Sequence, residues 1–414
     1  MTNNFHLKDK CEIVTQEDGN RFVGIDFNEK NIKISFPLGY QLPETDDLIR
    51  SDIFNLLTIL YRFNEDKEYL IQNNIQFSSN NVNFPLNSFM EVINYYMKNG
   101  YYMEREFIFK TKDRGKINWS RTIKNQNPLF QENSEGNILY PIYLSFTVRE
   151  SNLNMNNEIT NIHMYCVYES FEKLGWLFTT YMPPKPNVSF NENRFLNVLY
   201  EKLNNTNNDM KKRLFKAMIE IIMYLGDLEN PTQFSFGTER FEYVWEKLID
   251  VTFGITEKAD YFPRAEWKLL HNENKPTYPL RPDTIMIHDD EIYVLDAKYY
   301  KYGDTKDSSD LPNASSINKQ ITYAEYIKQN KKFKFNENSI FNAFLMPYNK
   351  EDNLFGHDEP FVNIGEAISC WKQNGYEYEH IQGILVDIRE LMINYNKNSK
   401  NSISELAKVI KKNI

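Results

Sequence analysis

The stretch LRPDTIMIHDDEIYVLDAKY, residues 280–299, decides the fold of the second half of the chain. Two apolar runs flank a short acidic turn, which is the signature of a β-hairpin. If the turn is centred on Asp289-Asp290, residues at equal distance from it face each other: His288 with Glu291, Ile285 with Val294, and Asp283 with Asp296. Opposed residues point to the same face, and the two-residue period of a strand adds Lys298 to that face. The stretch predicts two carboxylates and an ammonium group side by side.

Two carboxylates held opposite one another repel, so the arrangement is unfavourable unless a cation lies between them. Carboxylate oxygens, with water and phosphate completing the shell, suit Mg²⁺. A metal-bound water is acidified and becomes a nucleophile near neutral pH. Lys298 could orient that water or stabilise the negative charge that develops on phosphorus. The alternative is that Asp283 and Asp296 are solvent-facing residues that protect an edge strand from pairing.

Two predicted helices carry further candidates. The helix predicted at about residues 240–253 has Glu246 on a flank of its buried face, from which it could reach the metal; an ordinary surface glutamate fits the pattern equally well. Gln320 and Tyr323 share one face of a helix predicted at about 317–328, and they could contact a phosphate or the carboxylates. Alternatively, Tyr323 is a core residue and Gln320 lies near the helix cap.

The rest of the chain predicts a mixed α and β protein of 414 residues with two or three domains. The segment Pro183-Pro184-Lys185-Pro186 cannot continue a helix, so we expect a boundary there. Residues 1–185 would form an N-terminal mixed α+β domain that contacts DNA or a partner. Its predicted strands are at 21–36, 101–110 and 138–148 and its predicted helices at 51–60, 86–98 and 159–178. Ser51 is the predicted N-cap of the first helix. Residues 186–414 would form an α/β domain with helices flanking a small mixed sheet.

Composition excludes several classes of protein. The chain has 41% hydrophobic and 15% aromatic residues, enough for substantial cores, and its net charge of −9 argues against a polycation that coats nucleic acid. It has no apolar run of about 18 residues and no signal-peptide pattern, which predicts a soluble cytoplasmic protein without a membrane partner. The three cysteines are widely separated, and the chain lacks zinc-type Cys/His spacing and a GxSxG elbow.

One local patch is strongly basic. Residues 110–124 hold six basic side chains and one acid, Asp113, with Trp119 among them; the basic residues are Lys110, Lys112, Arg114, Lys116, Arg121 and Lys124. Such a stretch could contact DNA phosphates or a protein partner. A solvated hairpin is the alternative.

These residues resemble a known family. Pro282-Asp283 and Asp296-Ala297-Lys298, with Glu246 before them and Gln320 and Tyr323 after them, resemble the PD-(D/E)XK nuclease superfamily over about residues 236–326. The wider context is similar to the LlaJI-type restriction endonucleases, relatives of McrC. That context comprises Phe236-Gly237-Thr238, Val244-Trp245-Glu246, Ser51-Asp52-Ile53-Phe54-Asn55-Leu56-Leu57 and Gly115-Lys116-Ile117-Asn118-Trp119-Ser120-Arg121-Thr122-Ile123.

The resemblance implies a Mg²⁺-dependent subunit that cleaves foreign double-stranded DNA together with an McrB-like AAA+ GTPase. Asp283, Asp296 and Glu246 would hold the metal, Lys298 would assist catalysis, and Gln320 would belong to the catalytic set. The chain has no GxxxxGK[ST] phosphate loop, so any nucleotide dependence must come from a partner. Cutting both strands implies two active sites acting together, as in a dimer or larger assembly, or one acting twice. A standalone repair or recombination nuclease and a catalytically silent DNA-binding adaptor remain as alternatives.

Overall fold

The computed structural model describes residues 6–16, 20–28, 31–65, 84–132, 139–154, 157–179, 181–227, 233–270, 275–330, 332–333, 339–372, 374–395 and 400–411. Contacts divide the chain into two compact units. One combines Met1–Phe84 with Thr232–Ile414, and the other is Pro85–Pro231. This division differs from the sequence-based boundary after residue 185, because a strand near the N-terminus pairs with one that begins at residue 233. None of the helices in the described ranges is long and apolar enough to cross a membrane.

In the described part of the chain the strands are β1 (Cys11–Ile13), β2 (Val23–Asn28), β3 (Asn31–Phe36), β4 (Glu104–Lys112), β5 (Leu129–Glu132), β6 (Leu139–Ile142), β7 (Phe146–Asn154), β8 (Gln233–Thr238), β9 (Glu266–Trp267), β10 (Lys275–Pro276), β11 (Thr284–His288), β12 (Glu291–Ala297), β13 (Ile340–Tyr348), β14 (Phe361–Ala367) and β15 (Ile381–Asp387). The α-helices are α1 (Asp46–Glu65), α2 (Leu86–Asn99), α3 (Trp119–Asn125), α4 (Glu158–Leu174), α5 (Glu192–Asn204), α6 (Asp209–Asp227), α7 (Phe241–Phe253), α8 (Tyr302–Thr305), α9 (Ala314–Gln329), α10 (Ile388–Asn394) and α11 (Lys400–Lys411). The protein is therefore mixed α and β, as predicted.

A five-stranded mixed sheet is the centre of the first unit. Its order is β11-β12-β13-β15-β14, with β12, β13 and β15 parallel and the two edge strands antiparallel to their neighbours. Strands β12 and β13 are buried along nearly their whole length, as expected for strands covered on both faces. Helices α7, α9 and α11 contact this sheet. The apolar runs predicted as strands at 282–288 and 292–299 therefore lie in the sheet that carries the candidate site.

The N-terminal strands join the same unit through a second sheet, ordered β1-β3-β2-β8. Strand β2 pairs antiparallel with β8, and Gly24 lies opposite Gly237. A Cβ atom at Gly24 would approach the Phe236 carbonyl oxygen to 2.2 Å, so the two strands need glycine here. The buried carboxylate of Asp52 on α1 accepts from Arg389 Nε at 2.7 Å and ties the N-terminal helix to the C-terminal part of this unit.

The unit Pro85–Pro231 is built separately. Helices α2, α4, α5 and α6 pack on one another, and β4 pairs with β7 along nine residues. Strands β5 and β6 form a two-stranded ribbon of their own. Each unit has its own buried apolar residues, among them Phe89, Val167 and Met218 in this one.

Helix α1 corrects one sequence prediction. It begins at Asp46, so Ser51 lies inside the helix and is not its N-cap. Asp46 and Asp47 place negative charge in the first turn, where the helix dipole favours it.

Candidate active site

The hairpin β11–β12 has the predicted register. Ile285 pairs with Val294 and His288 with Glu291. Both turn residues have positive φ, 48° at Asp289 and 60° at Asp290, as a two-residue type I′ turn requires. Thr284 pairs with Leu295, so Asp283, one residue before the strand, lies beside Asp296.

This register brings three predicted residues together. Asp283 Oδ2 accepts a hydrogen bond from the backbone N–H of Ala297 at 2.9 Å. Lys298 Nζ lies 2.5 Å from Asp296 Oδ2. Asp296 is only 4% exposed, so it is not the solvent-facing edge residue of the alternative interpretation. The structure thus clusters two carboxylates and one ammonium group at the end of a buried strand.

The surroundings of the cluster disfavour the ionised form of Asp283. Burial of the Asp283 carboxyl group, reinforced by the charges of Asp296 and Glu246, raises the pKa of Asp283 well above its usual range. Burial alone would lower the pKa of Lys298, but the charge and hydrogen bond of Asp296 outweigh burial and raise it. Asp283 therefore tends to hold its proton, and a cation beside Asp283 and Asp296 would favour its ionised form.

The carboxylates of Asp283 and Asp296 fit Mg²⁺ better than a metal ion whose ligands all come from protein side chains. No group of three His, Cys, Asp or Glu side chains among the described residues is arranged to hold a metal ion. The resemblance predicts that Glu246 joins Asp283 and Asp296 as a third metal ligand. Among the described residues, the three carboxylates do not form such a cluster. Mg²⁺ usually keeps several waters and needs only one or two carboxylates plus substrate phosphates. Asp283 and Asp296 meet that requirement.

Asp283 of the cluster lines a cleft of about 800 Å³. The charged side chains that line this cleft are the acidic Asp283, Glu246, Asp250, Glu257 and Asp260 and the basic Lys247, Lys258 and Arg281. Acidic residues able to hold a cation and basic residues able to contact phosphate thus share one cleft. Glu246 lies on α7 as predicted, and its charge reaches Asp283.

Lys258 holds the start of β11, a role that the sequence did not indicate. Its Nζ lies 2.7 Å from the backbone carbonyl oxygen of Asp283 and 2.7 Å from Asp250 Oδ1 on α7. The segment that follows α7 is also held to β11 by a hydrogen bond from the Ile255 N–H to the Ile285 carbonyl at 2.8 Å. Asp283 lies 25 residues after Lys258, so no local pattern could have identified the role of this lysine.

Tyr299, next to Lys298, was also missed. Its buried hydroxyl accepts from the backbone N–H of Leu38 at 2.7 Å, and its ring lies 5.4 Å from that of Phe241 on α7. Gln16 donates to the Tyr299 carbonyl at 3.2 Å. The N-terminal segment therefore anchors the residue that follows the catalytic lysine candidate.

Gln320 and Tyr323 lie on α9, and both are buried. The Gln320 side-chain amide donates to the Val294 carbonyl at 2.6 Å, which ties α9 to β12 two residues before Asp296. The Tyr323 hydroxyl donates to the Arg281 carbonyl at 2.8 Å. A fully buried ring cannot contact DNA or a partner, so the structure replaces the predicted binding role of Tyr323 with a core role. Gln320 was predicted to contact a phosphate or the carboxylates. In the structure its side-chain amide contacts the backbone carbonyl of Val294.

The basic stretch lies in the unit Pro85–Pro231. Lys110 and Lys112 on β4 both pair with Glu150 on β7. Arg114 and Lys116 are exposed in the following loop, and the guanidinium of Arg121 lies 3.9 Å from the centre of the Phe109 ring. Trp119 begins α3 and is 54% exposed. Most of the predicted DNA- or partner-binding side chains are thus accessible.

Residues 22–365 match the model of the LlaJI restriction endonuclease family. The chain belongs to the LlaJI restriction endonuclease family. This confirms the family predicted from the sequence. This LlaJI-family chain is similar to the component YdjA of the type II restriction enzyme BsuMI from Bacillus subtilis (strain 168). The two sequences are 26% identical over 272 residues. That alignment covers 62% of this chain and 56% of the relative, so the chain spans little more than half of the relative's length.

A solved structure also resembles the chain. It is described as a refined half-complex from the tetradecameric assembly of Thermococcus gammatolerans McrB AAA+ hexamers with bound McrC. The match covers 93% of this chain and 83% of the other at 15% identity, with a TM-score of 0.36.

Proposed function

We propose that this LlaJI-family chain is the nuclease subunit of a restriction system, a Mg²⁺-dependent endonuclease that hydrolyses phosphodiester bonds of foreign double-stranded DNA. The observation that carries the proposal is the cluster of Asp283, Asp296 and Lys298 beside a cleft that both acidic and basic side chains line. Carboxylates and a lysine in this order on adjacent strands are also the arrangement expected of a PD-(D/E)XK nuclease domain. Membership of a restriction endonuclease family supports the same activity.

Asp283 and Asp296 would hold Mg²⁺, with Glu246 as an outer acid of the cleft. The bound ion would supply an acidified water and offset negative charge on the phosphate. Asp283 is oriented by the N–H of Ala297, and Asp296 holds the ammonium group of Lys298 beside it. Lys298 is thus positioned to orient the attacking water and to stabilise charge that develops on phosphorus.

Lys247 and Arg281 would offset the repulsion between DNA phosphates and a chain of net charge −9. Both line the cleft that Asp283 enters. Positive side chains near a phosphate backbone fix its register without reading base sequence. The recognised DNA sequence therefore depends on other contacts.

We further propose that cutting requires an McrB-like AAA+ GTPase partner. The chain has no phosphate loop, and the name of the Bacillus subtilis relative describes one component of an enzyme. The ribbon β5–β6 offers a surface for such a partner or for DNA. Leu129 and Phe130, consecutive residues on opposite faces of β5, are 57% and 63% exposed. A two-stranded ribbon is marginally stable in water on its own, so a partner that covers it would stabilise it.

The test compares two matched variants in the same hairpin. Plasmid DNA, methylated and unmethylated, is incubated with Mg²⁺, with and without GTP and the protein of the neighbouring gene. Asp296→Asn should abolish cutting, whereas Asp289→Asn, in the exposed turn, should cut like the wild type. Cutting that needs Asp296, the partner and GTP supports the whole proposal. Cutting by the chain alone supports a standalone nuclease, and DNA binding without cutting supports a silent adaptor.

A further inference from the structure

A second two-stranded ribbon stands next to the cleft. Strand β9 pairs antiparallel with β10, with Glu266 opposite Pro276 and Trp267 opposite Lys275. The ribbon is closed at its base by the Thr277 N–H, which donates to the Ala265 carbonyl at 2.9 Å. Residues 264–270 and 275–278 are all exposed. The described part of this ribbon therefore projects from the unit without a core of its own.

The base of the ribbon is continuous with the candidate active site. The chain enters it after Phe262 and leaves it before Arg281, and both residues line the cleft that contains Asp283. The Leu280 N–H donates to the Pro263 carbonyl at 2.9 Å and holds the two ends together. A molecule that occupies the cleft and extends beyond it on this side would meet the ribbon.

The side chains of the ribbon are those of a contact surface. Trp267 is 64% exposed, Leu270 94% and Tyr278 95%. Large apolar side chains at this exposure are unfavourable in water unless a partner covers them, and a lone two-stranded ribbon is marginally stable. The ribbon therefore has the features of an element that is stabilised by binding.

The charge of the ribbon favours nucleic acid. Over residues 264–280 the sequence has three basic side chains, Arg264, Lys268 and Lys275, and two acidic ones, Glu266 and Glu273. Lys268 Nζ lies 3.8 Å from Glu266 Oε1. This small local excess of positive charge contrasts with the net charge of −9 of the chain. The major groove of B-DNA, about 12 Å wide, admits a two-stranded β-ribbon. Phosphates beside the groove would meet the basic side chains, and the aromatic rings would meet base edges.

We propose that the ribbon of residues 264–270 and 275–280 enters the major groove of double-stranded DNA beside the phosphodiester bond that is cut in the cleft. The inference rests on the proposed nuclease function. It assigns the ribbon to the substrate duplex and makes Trp267 and Tyr278 its principal contacts. Lys268 and Lys275 contact the flanking phosphates.

Binding is measured separately from cutting. In an Asp296→Asn background, fluorescence anisotropy follows a labelled duplex of about 30 base pairs in Mg²⁺, with and without the partner protein and GTP. Trp267→Ala/Tyr278→Ala should weaken binding by about tenfold or more, the scale on which truncation of tryptophan and tyrosine anchors weakens an interface. The matched control is Trp371→Ala, which removes another exposed tryptophan (73%) from the same unit and should bind like the parent. Lys268→Gln/Lys275→Gln should reduce the slope of log K against log salt concentration by about 2, since each phosphate contact contributes about 0.9.

The outcomes separate the ribbon from the catalytic site. Equal affinity of Trp267→Ala/Tyr278→Ala and Trp371→Ala would overturn the ribbon proposal, as would a parent that binds no duplex in any condition. Loss of partner association with unchanged DNA affinity would assign the ribbon to a protein interface and also overturn it. If Asp296→Asn still cuts DNA, the assignment of the catalytic site is wrong. The ribbon proposal is still tested in that case, because its test is duplex affinity and not cutting. Circular dichroism verifies that each variant is folded.

Discussion

The ammonium nitrogen of Lys258 lies 2.7 Å from the backbone carbonyl oxygen of Asp283, whose carboxylate is one of the two candidate metal ligands. The same nitrogen pairs with Asp250 on α7, one turn after Glu246. A single side chain thus links the helix that carries one cleft carboxylate to the strand end that carries another. Outer contacts of this kind orient metal ligands and commonly change metal affinity when they are removed.

Lys258→Met should raise the Mg²⁺ concentration for half-maximal cutting by about tenfold, because the Asp283 backbone loses its tether. DNA affinity should stay close to that of the wild type. Cleavage titrated against Mg²⁺, together with duplex anisotropy, measures both quantities. The control is Lys408→Met, an exposed lysine on α11. A change in DNA affinity with an unchanged Mg²⁺ requirement would identify Lys258 as a phosphate contact instead.

Lys298→Met should separate metal binding from catalysis. Removing the ammonium group next to Asp296 leaves the two carboxylates with more unbalanced negative charge, so Mg²⁺ should bind at least as tightly as in the wild type. Cutting should fall by about a hundredfold or more, because charge on phosphorus loses its stabilising partner. Isothermal titration calorimetry with Mg²⁺ and a plasmid cleavage assay give the two values. Wild-type cutting by this variant would contradict the role assigned to Lys298.

Tyr299→Phe should destabilise the unit that contains the site. The variant leaves the buried N–H of Leu38 without its acceptor, which costs about 1–3 kcal/mol of unfolding free energy. Urea unfolding of the two proteins measures the difference. Tyr300→Phe, at the exposed neighbouring position, serves as the control and should lose less than about 0.5 kcal/mol. Equal stability of Tyr299→Phe and the wild type would show that this hydrogen bond contributes little.

His163 makes the unit Pro85–Pro231 sensitive to acid. It is fully buried, its Nδ1 accepts from the Tyr102 N–H at 3.0 Å, and burial lowers the pKa of His163 to about 3. The unfolded chain, with a histidine pKa of about 6.5, therefore takes up the proton first, and stability falls as the pH drops below about 6.5 towards 3.

Between pH 7.5 and pH 5 this group should cost the unit about 2 kcal/mol of unfolding free energy. His163→Asn keeps an acceptor for Tyr102 but does not titrate, so its stability should fall by about 2 kcal/mol less over the same interval. Urea unfolding at the two pH values gives the comparison. His357→Asn, at an exposed histidine, should retain the full wild-type loss. An unchanged pH dependence in His163→Asn would exclude His163 as the sensitive group.

The hairpin at the site could be predicted because its determinants are local. Alternating apolar residues and the Asp289-Asp290 turn fix the register, and the register fixes the neighbourhood of Asp283 and Asp296. Strand β8 was not predicted, because only its pairing with the distant β2 makes this segment a strand. Lys258 and Tyr299 were not predicted for the same reason. Their partners, the Asp283 carbonyl and the Leu38 N–H, are backbone groups that only the folded chain brings close. Tyr323 was placed on the correct helix, but one helical face pattern does not distinguish a core ring from a binding ring.

The pairing of β2 with β8 has a consequence for synthesis on the ribosome. Strand β2 emerges early with one edge paired to β3, and its other edge has no partner until β8, roughly 200 residues later, is made. At about 5–20 residues per second, that delay is roughly 10–40 s. The whole of Pro85–Pro231 is translated during this interval and can complete its own core first. An open strand edge that waits this long is a site for mispairing between nascent chains, so yield should depend on chaperones that cover it.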